Sequence, residues 1–412
     1  MTGQHDTDCV VVGAGPAGAM LAYLLARAGV KVTLLESHSD FQRRFRGDTL
    51  SPATLDLLAE LGLAERLLAG TVHTRATAFC WHTDEHVYVL SDFSSASDRY
   101  GFYALVPQPD FLAFLVGESV TRPSYEIRMN CRVGRLIRDQ GRVVGVVYTD
   151  AQGRQHELRA NLVVGADGRS SKVRLLSGTA TRELGVGSDL LWFDVARDAA
   201  DDPPLSGLDL YASPGRYLVA LNQGTRWQLG YGIPAGTVGQ ARATGLAPVH
   251  AVVAEHMPWL ADRIRTLTDF NQLTLLNVRI TQVDTWTMPG LLLIGDAAHV
   301  ISPVGGNGIN HALADAVQAA NALVAPLIVG DTAALDHACR SVERARRPVA
   351  DAAQREQSRI EAVSRSALQR GDPRPPFTLR WLSRSPLLAR WAGKRASDAV
   401  RTPQVSPEIL TA

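Results

Sequence analysis

The chain has few cysteines, almost no net charge and no long apolar run, and each shortage removes a class of protein. Its four cysteines, Cys9, Cys80, Cys131 and Cys339, are scattered with no CxxC pair. That spacing excludes a disulfide framework and the common zinc arrangements, and a reduced, cytoplasmic protein without a metal site is expected. A net charge of +1 supplies no field for nucleic acid or another polyanion. No apolar run reaches membrane-spanning length, and the polar opening MTGQHDTD leaves no room for a signal peptide ahead of the first strand, so no membrane partner is expected. What the 412 residues do hold is 46% hydrophobic side chains, enough to bury a large core in two domains or in one domain with a long insertion.

The most organised stretch is Asp8 to Glu36, DCVVVGAGPAGAMLAYLLARAGVKVTLLE. Cys9 to Val12 is a short β-branched run that suits a strand buried on both faces. Gly13 permits a tight turn, Gly15 lets a pyrophosphate approach the backbone, and Gly18 lets the next helix lie close to the strand. Pro16 and Ala17 open that helix, whose free N–H groups form an anion site, and Gly29 ends it. Val32 to Leu35 follows as a second strand. Glu36, eighteen residues after Gly18, stands where an acid binds ribose hydroxyls and repels a 2′-phosphate, which favours FAD or NAD over NADP.

Further along, Arg43, Arg44 and Arg46 precede a helix over 49–62 with Ser51 as N-cap and Pro52 at its first position. Arginines there either meet a pyrophosphate or ribityl chain or form a solvated basic loop. Thr77 to Phe93 alternates as a hairpin, the chain returns at Tyr103 to Gln108, a helix covers Asp110 to Ser119, and Val133 to Arg159 reads as a meander. NLVVGADGRSS, over 161–171, places Asp167 in a glycine-bounded turn at the carboxyl end of a buried strand. Ligands bind at such ends, although an Asp also stabilises its own turn. Leu190 to Pro234 reads as four strands, with Tyr211, Tyr217, Trp227 and Tyr231 as lining or packing aromatics, and precedes a helical pair over Pro248 to Thr266.

The stretch over 290–315, GLLLIGDAAHVISPVGGNGINHALAD, runs a buried strand into Gly295 and Asp296, then a glycine-rich loop at Pro303 to Gly308 into a helix over 307–329. A carboxylate suits a polyol hydroxyl, and a glycine-lined helix start suits negative charge on a ring. A flavin has both features and nicotinamide has neither, so FAD is the expected cofactor. The tail from Asp331 to Asp398 is helical and arginine-rich, broken at Gly371 to Phe377.

In that order, GAGPAG, GADGRSS and LIGDAAHVISPVGGNGIN resemble the single-component FAD-dependent aromatic hydroxylases typified by para-hydroxybenzoate hydroxylase. The resemblance implies an α/β fold with a Rossmann-like FAD-binding domain (1–76, 102–185 and 284–350), a β-sheet substrate domain interleaved with it (77–101 and 186–283) and a C-terminal helical segment (351–412). By the same resemblance Gly13, Gly15, Pro16, Ala17 and Gly18 match the pyrophosphate turn and Glu36 the acid on the adenosine ribose. Arg44 and Arg46 match an arginine pair that contacts FAD, Gln108 a glutamine near the ribityl chain, and Val133 a backbone position beside adenine. Asp167 matches an Asp-Gly motif associated with FAD and NAD(P)H, and Asp296 the acid on the ribityl group. Pro303 and Gly305 to Asn310, with Gly306, Asn307, Gly308 and Ile309 among them, match the loop under the isoalloxazine ring, although GGNG replaces the usual Gly-Gln-Gly. The loop backbone at Pro303, Gly305 and Gly306 is the nearest to a catalytic element that the motifs offer.

The activity so implied is hydroxylation of a phenolic or polycyclic aromatic, through a flavin C4a-hydroperoxide, with NADPH or NADH and O2, in a monomer or homodimer. A phenol reacts faster as phenolate, which calls for a base or donor network. His82, Tyr211 and Arg216 lie on segments that could reach the pocket. Rival readings are a flavin-dependent halogenase, a FAD-dependent reductase or dehydrogenase on the same scaffold, and a non-catalytic flavoprotein-like partner. The halogenase reading lacks its KxGE-type stretch and WxWxIP motif, since WQLGYGIP lacks the second tryptophan and Lys172 is the only lysine between Lys31 and Lys394. A subunit freed from catalysis has no need of all three motifs.

Overall fold

The computed structural model describes residues 5–42, 48–186, 188–198, 200–201, 207–276, 279–302, 306–369, 371–400 and 402–411. Strand β1 (Thr7–Val12) leads through helix α1 (Pro16–Arg27) to β2 (Val32–Leu35), the right period for a parallel pair joined by a crossover helix. The alternation in β1 splits its side chains between two cores. Cys9 and Val11 face α1 and its neighbouring helices, whereas Val10 and Val12 face the meander. Ser51 caps helix α2 (Pro52–Glu60) by accepting the Thr54 N–H, as its place before a proline foretells.

The hairpin is β3 (Ala78–His82) with β4 (Val87–Asp92), and helix α3 (Gln108–Ser119) follows the return of the chain. Strand β5 (Tyr125–Arg128) then adds to β2. The meander β6 (Arg132–Asp139), β7 (Arg142–Thr149) and β8 (Gln155–Gly165) ends in a strand long enough to serve two sheets. Its first half pairs antiparallel with β7, and its second half pairs parallel with β1. After helix α4 (Lys172–Ser177), a connector β9 (Thr181–Val186) enters the second body.

That body is one seven-stranded sheet. Strands β10 (Asp189–Ala196), β11 (Gly207–Ser213), β12 (Arg216–Asn222), β13 (Arg226–Ile233) and β14 (Thr274–Leu276) join the hairpin in the order β14-β10-β13-β12-β11-β3-β4. One face packs under helix α5 (Ala247–His256) through Phe193, Leu218, Trp227, Leu229 and Tyr231. The other face carries Trp192, Tyr217, Val219 and Leu221. On β13 that second face holds Gly230 and Gly232, where a Cβ would come within 3.1 Å of the Trp192 ring and 2.2 Å of the Tyr217 ring. The two glycines let aromatic rings lie flat on the sheet. The helical pair expected over 248–266 is one helix followed by 3₁₀ turns at Pro258–Leu260 and Arg263–Thr266. Pro258 has no N–H to continue α5 and bars Met257 from helical backbone.

The chain returns through β15 (Arg279–Val283), which pairs with β9, and adds β16 (Thr287–Met288) and β17 (Leu291–Leu293) beside β8. A two-residue strand, β18 (His299–Val300), pairs with β15. Helix α6 (Gly308–Val329) has the length and composition to cross a membrane, yet its inner residues from Ile309 to Leu327 pack in the core beside α1. Helix α7 (Thr332–Gln369) straps the molecule. Its Asp336 receives Arg142 at 2.7 Å and the Gly290 N–H, and Gln354 donates to the Thr281 and Val300 carbonyls. Helices α8 (Phe377–Leu382) and α9 (Pro386–Asp398) cover the hairpin edge, where the Trp81 indole donates to the Pro373 carbonyl and Gly393 lies against the Asp92 backbone. Residue 185 lies within β9, and residue 350 lies within α7.

Candidate flavin and substrate site

Strands β1, β8 and β17 are parallel, so their carboxyl ends deliver three turns to one edge of the sheet. The first turn has Gly13 at φ +99°, a backbone that side chains rarely adopt, and a Cβ there would lie 2.6 Å from the Ala166 carbonyl of the second turn. A Cβ on Gly18 would lie 2.0 Å from the Gly13 carbonyl. Beyond Gly15 the space is open, and no side chain caps α1. Buried Glu36 accepts the Ala14 N–H at 2.9 Å with one oxygen and His38 Nδ1 at 2.6 Å with the other, so it shapes the turn it follows.

In the second turn Asp167 accepts the Ser171 hydroxyl and the Lys172 and Val173 N–H groups at the start of α4. The neighbouring arginines reach the third turn instead. Arg169 Nε is 3.4 Å from Asp296 Oδ2, and Arg174 donates to the Asp296 and Ala297 carbonyls. The third turn has Gly295 at φ +58°, pressed on Ala17 of α1, and leaves the Asp296 carboxylate partly exposed.

Beneath these turns lies a buried ionic group that the motifs did not reveal. Asp315 of α6 accepts the Gly295 N–H at 2.9 Å, His299 Nε2 at 2.6 Å and Arg346 Nε at 2.7 Å, with all three side chains buried. Burial alone would push the Asp315 carboxyl up, yet the His299 and Arg346 charges and their hydrogen bonds hold it well below the carboxylate range. Burial, reinforced by the neighbouring His299 and Arg346, drops His311 to about 3, so it is neutral near pH 7. The signal was present in the sequence: Asp315 is the sole charge in the α6 run.

At the start of α6, Gly306 sits at φ +66° with its carbonyl accepting the Thr49 hydroxyl at 2.6 Å. No side chain caps the helix, and the buried Asn307 Oδ1 has no partner among the described residues. Gly308 faces open space, and Ile309 is buried. Asn310 ties this start to α2, accepting the Ser51 N–H and the Thr54 hydroxyl. Gln108 and Val133 are buried at the margins. Arg44, Arg46, Pro303 and Gly305 lie outside the described residues.

Asp48 joins this region to the sheet. Its carboxylate accepts the Gln108 N–H at 2.9 Å and the side-chain amides of Gln223 and Gln228 at 3.0 and 3.2 Å. Gln228 shares the β13 face of Gly230 and Gly232, so that face is turned toward the flavin turns. His82, Tyr211 and Arg216 do not line it. His82 bonds Asp209 at 2.8 Å and stacks on Tyr211 at 4.5 Å, Tyr211 packs beneath α5 beside His256, and Arg216 charge is felt by Tyr231 and His256 on that covered side. Their shared parity brings the three together on the face away from the flavin turns.

Burial pushes the Asp48 carboxyl up to about 7, against the Gln108 and Gln228 donors that favour its ionised form. An unfolded Asp titrates near ~4, so between ~4 and ~7 the folded protein holds the extra proton. This group's contribution is most favourable below the unfolded pKa and worsens by up to about 4 kcal/mol as pH rises through the folded one. We expect thermal unfolding at pH 5 and pH 8 to show a fall in wild type that Asp48→Asn reduces, and an identical fall in both would contradict the assignment.

Two uncapped helix starts and a carboxylate at one sheet edge suit a long cofactor with phosphates at one end, a polyol in its middle and an electron-accepting ring at the other. The residues present fit a flavin dinucleotide, and the protein is a flavoprotein by class. Residues 6–357 match the family model described as FAD binding domain, and the chain belongs to that family, the FAD-dependent monooxygenases related to para-hydroxybenzoate hydroxylase. It is 32% identical to 6-methylpretetramide 4-monooxygenase of Streptomyces rimosus over 321 residues, 77% of this chain and 75% of that protein. It is 28% identical to protoasukamycin 4-monooxygenase of Streptomyces nodosus subsp. asukaensis over 390 residues, 87% and 88% of the two chains. Its fold matches the crystal structure of p-nitrophenol 4-monooxygenase PnpA from Pseudomonas putida DLL-E4 with a TM-score of 0.75 at 22% identity, covering 97% of this chain and 99% of that one.

Proposed function

We propose that this chain hydroxylates a phenolic or polycyclic aromatic substrate, using NADH or NADPH and O2, with the aromatic ring held between the flavin turns and the face of the seven-stranded sheet that carries Trp192 and Tyr217. The observation that carries this reading is the Asp48 junction, which fastens an apolar sheet face bearing Trp192 and Tyr217 beside Thr49, whose hydroxyl donates to the Gly306 carbonyl. Bound FAD would supply the oxidation–reduction chemistry with nicotinamide and oxygen.

The chain's own residues would hold and shield it. The N–H groups at Gly15, Pro16's successor Ala17 and Gly18 would bind the pyrophosphate, Glu36 the ribose, and Asp296 the ribityl hydroxyls. Gln108 and Val133 would border the chain of the cofactor. The α6 start at Gly306, Asn307, Gly308 and Ile309 would offer positive dipole to the ring's polar edge. Flat rings on Gly230 and Gly232 keep water from the substrate side. Relatives act on 6-methylpretetramide and protoasukamycin by name, which supports a polycyclic or extended aromatic. Four free, buried cysteines fit a reducing compartment.

The test is the rate of flavin reduction by NADH and NADPH under anaerobic conditions, with and without a panel of phenols and hydroxylated polycyclics. Acceleration by an aromatic, followed by an oxygenated product on admitting air, is the expected result. Reduction insensitive to every aromatic, with peroxide as the sole oxygen product, would turn the reading toward a reductase.

A further inference from the structure

The face of the seven-stranded sheet that lies under α5 holds a group of polar side chains that the flavin and substrate site does not use. Strands β3 and β11 form the one parallel pair of that sheet among the described residues, with Cys80 opposite Asp209 and His82 opposite Tyr211. Opposite residues share a face, and so do residues two apart along a strand, so all four side chains turn to the same side. Tyr211 packs there in the core beneath α5, and all four are buried.

Three of them converge. The donor atoms of Cys80, His82 and Asp209 lie within 4.8 Å of one another. Asp209 is held in place from both ends, since Oδ2 accepts the Gly207 N–H at 3.1 Å and Oδ1 meets His82 Nε2 at 2.8 Å. Tyr211 lies over the group with its ring stacked on His82 at 4.5 Å, and its buried hydroxyl has no partner among the described residues. Burial raises the Tyr211 hydroxyl pKa, and the Asp209 and Cys80 charges raise it further, in keeping with a hydroxyl set beside those two side chains. A carboxylate and an unmatched hydroxyl are costly to bury. A divalent cation reverses that cost: one thiolate and one carboxylate cancel its two charges, and the loaded group is neutral.

We propose that Cys80, His82 and Asp209 bind one zinc ion, which fastens the hairpin to β11. Thiolate, imidazole and carboxylate are all zinc ligands. Tetrahedral zinc sets such donors about 3.5 Å apart, so shifts of about 1 Å close the site. A water takes the fourth position and gives the Tyr211 hydroxyl its partner. On binding, the thiol proton leaves to solvent, the imidazole coordinates as the neutral ring, and no electrons change hands. The ion holds the sheet and does no chemistry on substrate, because it sits on the face away from the flavin turns. Its ligands include His82 and Asp209, 127 residues apart, a separation at which no ligand spacing shows in the sequence. The Tyr211 ring also lies 5.4 Å from His256, which with Glu255 and exposed Asp84 forms a second set of donors nearer the surface.

The experiment uses the FAD-loaded enzyme, stripped of metal with a chelator, then titrated with Zn2+ against a chromophoric chelator and with Co2+ read as a difference spectrum. Wild type should take up one zinc per chain, and cobalt should give a thiolate-to-metal charge-transfer band. Cys80→Ser should abolish the band. Cys80→Ser and Asp209→Asn should each weaken zinc binding by at least about 100-fold, the upper end of what losing a mere outer partner costs. Zinc should raise the wild-type thermal midpoint by about 5 °C and leave Cys80→Ser at its metal-free value. Asp84→Asn, in the outer set, should keep both the zinc and the band. The band is read in wild type, so the test stands even where a variant fails to fold. A wild type that binds no zinc, zinc binding without a thiolate band, or zinc lost in Asp84→Asn and kept in Cys80→Ser overturns the proposal.

Discussion

Asp315→Ala is expected to lower stability by about 3–5 kcal/mol, because it strands the Arg346 guanidinium in the core without its counter-ion and takes from His299 Nε2 its hydrogen-bond partner. The same change frees the Gly295 N–H, so the turn that presents Asp296 loses its anchor. Urea unfolding of the variant reads the first effect, and FAD content after reconstitution reads the second. The pH dependence has a definite sign. The folded pKa is depressed, so the stability tied to Asp315 is present above the unfolded carboxylate range and is lost as pH falls through the acid range. Asp315→Asn keeps the shape and removes that titration. A variant as stable as wild type with full FAD content would mean that the ionic group is incidental.

Gly18→Ala should be the most damaging single methyl in the first turn and the helix it opens. The added Cβ would lie 2.0 Å from the Gly13 carbonyl, which is itself pinned against the Ala166 turn, so no flexible side chain can yield. The turn must open or α1 must lift off β1, and overpacking of this kind costs about 3 kcal/mol. If that cost falls on the cofactor-binding conformation, FAD affinity drops by about 100-fold. Equilibrium dialysis against FAD measures it. Gly15→Ala is the control, since nothing lies within 4 Å of that Cβ in the protein and only a bound pyrophosphate would meet it. Wild-type affinity in Gly18→Ala would contradict the packing of α1 on β1 described above.

Much of this architecture can be read from residues because the relevant constraints are local. The turn at Gly13, the Ser51–Pro52 helix start and the carboxyl end of β17 each need particular residues within a few positions, and each stands where the sequence places it. Asp167 shows the limit of such reading: an acid at a strand end can meet a ligand or support its own helix, and its oxygens accept three hydrogen bonds from the start of α4. The stop of α5 was legible in Pro258. What local pattern withholds is the facing of a sheet. Alternation shows that His82, Tyr211 and Arg216 can share a side, but both sides of the seven-stranded sheet are apolar, so alternation does not say which one meets the flavin turns. Gly230 and Gly232 held that information, because a small residue marks where a ring from the next strand lies down. The ionic group was hidden for a different reason. Asp315 draws its partners from 16 and 31 residues away, a separation over which no periodicity connects them.

The most direct test of the central claim is the origin of the oxygen in the product. The FAD-loaded enzyme is supplied with NADH or NADPH, a phenol that accelerates flavin reduction, and ¹⁸O2, and the product is weighed by mass spectrometry. A flavin monooxygenase with the substrate under the Trp192 and Tyr217 face leaves one ¹⁸O atom in each hydroxylated product. Product that carries no label, or substrate recovered as its reduced form while all the consumed oxygen appears as peroxide, would contradict it.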